Sequence, residues 1–213
     1  MTAQSVQHPF VRSRSRVERL AANKLFWLVV VSFFFFFPIY KSLNRTLPPP
    51  LPVLGQMGEW SLMSENSQAI GTEQLKGKIK VMALVATNCG VTCDSTLAKL
   101  GVIQHRLRGV GTKAAVLSVT TDPGFDTPEV LYKKARQLHA NAHVRSFLTG
   151  DLVEIQRFYD NELAKHFQLD KLQSSSKLIL IDHKDRVRGL YNSSDNDINK
   201  MMIDIGLLIN FGN

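Results

Sequence analysis

The sequence predicts an α/β sandwich, a central mixed sheet with flanking helices, preceded by one N-terminal transmembrane helix. Three observations carry this. Continuous apolar runs alternate with helical patterns from about residue 79 to residue 163, as expected of strands covered on both faces by helices. Two further short apolar runs face each other across a turn and close on a helical pattern, a terminal hairpin plus helix. Ahead of all this, Leu25 to Tyr40 is apolar almost throughout.

That leading run is 16 residues, interrupted by Ser32 and ending near Pro38. A span usually takes roughly 17–25, and Ala21, Ala22 and Leu43 extend this one at the interfaces. Trp27 and Tyr40 stand near its two ends, where interfacial aromatics belong. Residues 1–40 carry five basic side chains against Glu18 alone, which places the N-terminus in the cytoplasm by the positive-inside rule. The run is followed by IYKSLNRT without an A-x-A-like site. An uncleaved signal-anchor is therefore favoured over a cleaved signal peptide. TLPPPLPV, Thr46 to Val53, reads as a stiff spacer. The expected organisation is a basic cytoplasmic segment (1–24), a signal-anchor (25–43), a Pro-rich linker (44–54) and one domain (55–213). That domain lies outside, on the periplasmic face of a cytoplasmic membrane, where a cysteine pair can be oxidised or hold metal.

The net charge of +8 is shared between the leader and the rest of the chain. No stripe of basic and aromatic residues accompanies it, so no nucleic-acid partner is expected. With 44% hydrophobic residues the chain can build a real core.

In order, GEWSL (Gly58–Leu62) suggests a short strand or hairpin, and Leu75 to Lys78 turn into a core strand, Ile79 to Ala86. A helix follows to about Arg108, ended by Gly109 and Gly111. Ala114 to Thr120 is a second continuous strand. Thr121 to Pro128 is a loop, with Thr127 capping and Pro128 opening a helix that reaches about His139. Val144 to Leu148 is a short strand. Gly150 and Asp151 lead into a helix with Leu152, Ile155, Tyr159 and Leu163 on one face. Lys177 to Ile181 and Val187 to Tyr191 form the hairpin around His183, Lys184 and Asp185. The last helix carries Ile198, Met201, Met202, Ile205, Leu208 and Ile209 at helical spacing, its methionines as core filler.

The two cysteines of the chain, Cys89 and Cys93, fall four apart where the first core strand meets its helix. If the helix starts near Gly90, both sulfurs come to one side of its first turn. Amide N–H groups at a helix start favour a thiolate. A cysteine pair at this junction narrows the sandwich to the thioredoxin-like class.

Here the sequence resembles the Sco/SenC family of membrane-anchored thioredoxin-fold proteins. The resemblance runs from about Gly58 to the C-terminus. It rests on GEWSL, LKGKIKVM, TTDPGFDTPEVL, FLTGDLVEI and above all C-G-V-T-C, whose spacing of three is the family's. It implies copper held at the cysteine pair, assistance to the copper centre of cytochrome c oxidase, and that enzyme's copper-bearing subunit or another thiol client as partner. Two departures stand out. Gly90 and Asp94 occupy places near the cysteines where the family usually has proline. The family's histidine ligand lies eight residues before the aspartate ending the penultimate strand, and counting back from Asp182 gives Ser174.

Two thiolates suit Cu(I), whereas Cu(II) wants nitrogen as well. Cys89 and Cys93 thus permit a two-coordinate Cu(I) site with its third ligand unassigned. His166, eight residues before Ser174, is the candidate substitute, although its place at a helix end equally suits a cation on the dipole. His183 is expected at the wrong end of the sheet, and His105, His139 and His143 at the surface. The same pair supports thiol–disulfide exchange, with Cys89 attacking and Cys93 resolving. A Cys89–Cys93 disulfide serving stability alone would contribute little, because its loop is so short. Asp122 can influence the thiols if its loop lies beside them, though Asp-Pro-Gly also makes a turn unaided. A peroxidase is disfavoured, since Ala86 and Gly90 stand three residues before the cysteines where a threonine is wanted. Three functions stay open: copper delivery, thiol–disulfide oxidoreduction of client cysteines, and a degenerate non-catalytic assembly module.

Overall fold

Asn23 caps the first described helix, its side chain accepting from the Leu25 N–H at 3.0 Å. This helix, α1, spans Lys24–Leu43 and continues through Pro38, further than the apolar run alone suggests. At 1.5 Å per residue its 20 residues reach about 30 Å. It is long and apolar enough to cross a membrane. The computed structural model describes residues 23–44, 49–164 and 176–211, together with Val17 and Ala21. The chain divides into two units, Met1–Pro50 and Leu51–Asn213.

The second unit begins with β1 (Gly55–Gln56), β2 (Ser61–Ser64), β3 (Ala69–Gly71) and β4 (Ile79–Val85). Next come α2 (Val91–Arg106), a 3-10 stretch (Leu107–Lys113), β5 (Ala114–Thr120), α3 (Pro128–Gln137) and β6 (Arg145–Thr149). The chain continues through α4 (Leu152–Phe158), a π-type turn (Tyr159–Ala164), β7 (Lys177–Ile181), β8 (Arg186–Asn192) and α5 (Asp195–Phe211). The sheet runs β1-β8-β7-β4-β5-β6-β2-β3. β4, β5 and β6 are parallel, whereas β7 and β8 return antiparallel beside β4, and β2 lies antiparallel to β6.

Every residue of β4 and of β5 is buried, because helices cover both faces. The period-two alternation of a strand divides the core accordingly. Ile79, Val81, Ala83 and Val85 pack with Leu97, Leu100 and Ile103 of α2 and with Ile198, Met201 and Ile205 of α5. Met82 and Leu84 pack on the other side with Leu117, Val119, Trp60, Ile155, Phe158 and Tyr159. Each such large apolar side chain contributes about 1.5–3 kcal/mol.

The elements differ from expectation in three places. α2 stops at Arg106 and the chain tightens into 3-10 turns, with Gly111 at φ 62° breaking them. α3 ends at Gln137, and His139 takes φ 50° with its N–H bonded to the Arg136 carbonyl and that of Ala140 to Ala135. That is a left-handed helix termination with histidine where glycine is usual. Leu152 is 65% exposed while Ile155, Tyr159 and Leu163 are buried. As the first residue of α4, Leu152 sits outside the stripe that meets the sheet.

Candidate redox and metal centre

β4 ends at Val85, and the next three residues are each held from a different direction. The Ala86 N–H faces Cys93 Sγ at 3.5 Å. The Thr87 N–H donates to Asp126 Oδ2 at 3.1 Å, and the Thr87 hydroxyl donates to Asp126 Oδ1. Asn88 Nδ2 donates to Asp122 Oδ2 at 2.9 Å. Cys89 follows on an exposed bend, then Gly90 at φ 77° and ψ −151°, a region essentially restricted to glycine. α2 begins at Val91, so Cys93 lies in its first turn.

The two cysteines are joined as a disulfide, with Cα atoms 5.7 Å apart. Their surroundings differ. Cys89 is exposed, whereas Cys93 is 2% exposed and packs with Val85, Leu97 and the rest of the core on that side. Attack from solvent therefore meets the Cys89 sulfur first.

The loop after β5 closes over the turn. The Thr121 N–H donates to the Val85 carbonyl at 3.1 Å, and that of Asp126 to the Asp122 carbonyl at 2.9 Å. Asp122 accepts from its own loop, at the Phe125 N–H, and from Asn88 next to Cys89, so its loop does lie beside the cysteine turn. Asp126 is the residue sequence reasoning missed. Its carboxylate is fully buried and takes three donors, the third being the Thr120 hydroxyl at 2.5 Å. In the sequence it reads as one more polar residue of a turn, and its main partner is 39 positions away.

The histidines separate cleanly. β7 is antiparallel to β4, with Ile181 opposite Lys80. His183, just after β7, therefore lies at the end of the sheet away from the cysteines. His105, His139 and His143 are exposed. His166 and Ser174 lie outside the described residues. The first described residues leading into β7, Ser176 and Lys177, stand at the cysteine end by the same register. Among the described residues no group of three or more His, Cys, Asp or Glu side chains converges to hold a metal. Among the described residues the donors there are two sulfurs, which once reduced suit linear Cu(I).

Far from this end, Asp182 is fully buried among cations, with Arg186 Nε at 2.8 Å and Arg188 Nη1 at 3.2 Å. Burial alone pushes its carboxyl up. The N–H groups of Arg186 and Lys184 and the Arg186 guanidinium outweigh that and hold it below the usual carboxylate range. Arg145 is the other large buried cation. Its desolvation lowers it to about 10, against an opposing pull from Glu65.

A mixed sheet covered by helices on both faces, with a cysteine pair bonded across the first strand–helix junction, defines a thioredoxin-like protein. Residues 54–209 match the family model described as SCO1/SenC, and the chain belongs to that family. A SCO1 protein homolog of Bacillus subtilis is 23% identical over 150 residues, covering 68% of this chain and 78% of its own length. The structure of BsSco, described as a member of the Sco family of cytochrome c oxidase assembly proteins, superimposes with a TM-score of 0.62. It has 22% identity and covers 76% of this chain and 96% of BsSco. Yeast Sco1 with copper bound matches with a TM-score of 0.57 at 21% identity, covering 73% of this chain and 94% of that one.

Proposed function

We propose that this chain is a membrane-anchored Sco-like protein that binds Cu(I) through Cys89 and Cys93 and assists copper-centre assembly of cytochrome c oxidase. In this reading residues 1–24 lie in the cytoplasm, 25–43 span the membrane, 44–54 are the linker, and 55–213 stand on the outer face. The observation that carries it is the sulfur pair bonded at an exposed strand–helix turn. The copper-bound relative and the oxidase-assembly relative give the pair its direction, and α1 supplies the anchor. An external dithiol supplies the two electrons and two protons that convert the disulfide to two thiols, closing to a disulfide itself. Binding Cu(I) then releases the protons, since sulfur coordinates as thiolate.

A second reading has its own support. Among the described residues no imidazole stands at the cysteine end, and the pair is closed as a disulfide. Two thiols without a nitrogen partner suit thiol–disulfide exchange with a client: one attacks the client's disulfide, the other resolves the mixed disulfide, and both electrons pass to the client.

Titration of the reduced, detergent-solubilised full chain with Cu(I) separates the readings. One equivalent of Cu(I) per chain, lost in Cys89→Ser, supports copper handling. Absence of binding with turnover of a disulfide substrate supports exchange. Absence of both leaves an assembly module and contradicts the proposal.

A further inference from the structure

We propose that Asp126 is a positioning residue for the Cys89–Cys93 pair, acting through Thr87 to hold the turn in its disulfide-competent form. The inference deepens the functional reading above and rests on it.

Asp126 bonds to Thr87 and Thr120 rather than to a cysteine, and it belongs to neither apolar cluster. Its carboxylate is fully buried, a position that ordinarily demands a cationic partner. None of the ion pairs among the described residues reaches it. Its three donors are neutral, and two of them belong to Thr87, two residues before Cys89. The third, Thr120, ends β5, the strand beside β4. The carboxylate thus bolts the cysteine turn to the rigid end of the sheet. The Asp122–Asn88 bond reinforces the same junction from the exposed side.

One physical effect follows. A clamped turn keeps Cys89 and Cys93 at bonding separation, which favours the disulfide over two free thiols. Losing the carboxylate loosens that clamp, so the dithiol gains.

The test equilibrates the detergent-solubilised full chain with mixtures of reduced and oxidised glutathione and reads the disulfide fraction by thiol trapping. Asp126→Asn is expected to shift the equilibrium at least about tenfold toward the dithiol, and Thr87→Val in the same direction by less. Asp182→Asn, which removes the buried carboxylate at the opposite end, is expected to lower Tm and leave the equilibrium in place. If both Asp126→Asn and Thr87→Val unfold less stably but keep the wild-type equilibrium, Asp126 is structural only and the proposal is overturned. Should Asp126→Asn not fold, Thr87→Val decides alone. If the unaltered chain neither exchanges with glutathione nor binds Cu(I), the functional reading fails instead, and that failure is visible before any variant is made.

Discussion

Two buried aspartates, one at each end of the same sheet, are satisfied in opposite ways. Asp182 sits among Arg186 and Arg188, with Lys80 paired to Asp185 beside it. Arg188 also donates to the Leu51 carbonyl at 2.6 Å, so the cluster fastens the first residues of the domain to β8. Asp126 takes only hydroxyl and amide donors. The lesson is a division of labour. Where the fold must be held, the buried carboxylate is paired with cations. Beside the sulfur pair it is held by neutral donors.

The largest expected effect lies at the cationic end. Asp182→Ala strips the acceptor from the buried Arg188 and the partly exposed Arg186, leaving a buried cation without its carboxylate, which costs about 3–5 kcal/mol. Urea unfolding of the full chain in detergent should show the unfolding free energy falling by that amount, as a lower midpoint with little change in slope.

The same residue predicts the acid limb. Its folded-state carboxyl is depressed below the unfolded value of about 3.9. Its contribution is therefore complete above that value and is lost as pH falls through the lower, folded one. Asp182→Asn should flatten the loss of stability below about pH 4, and an unchanged acid limb would assign it to other carboxylates.

Next in size is Gly90. A Cβ there would meet nothing within 4 Å, so space is not the obstacle; the φ of 77° is. Gly90→Ala should cost about 1–3 kcal/mol as strain in the cysteine turn, read as a lower Tm. The smallest effect belongs to the exposed Lys134–Asp94 pair at 2.8 Å. Lys134→Ala should change stability by under about 1 kcal/mol, and by less in high salt.

The sequence is legible where structure is local. Ala114–Thr120 and Lys177–Ile181 are strands over the expected residues because each is an apolar run bounded by turn formers. The Pro128 helix start holds because Thr127 caps it through the Val130 N–H. The sulfur pair is legible too, as the one place where two nucleophilic side chains share a junction. What escapes is non-local. The pairing of β1 with β8 joins residues 55 and 187, and two residues carry no pattern of their own. The Asp126–Thr87 bolt is invisible for the same reason, since a turn aspartate and a loop threonine are individually ordinary. Leu152 misleads because helical spacing does not reveal which residue stands first.

The most direct measurement concerns the two sulfurs separately. Each single-cysteine chain, Cys93→Ser and Cys89→Ser, is exposed to oxidised glutathione and the adduct is weighed by mass spectrometry. Cys89 is exposed and Cys93 is 2% exposed, so Cys93→Ser should take up one glutathione rapidly and Cys89→Ser should resist. Equal or faster modification of Cys93 would contradict the account.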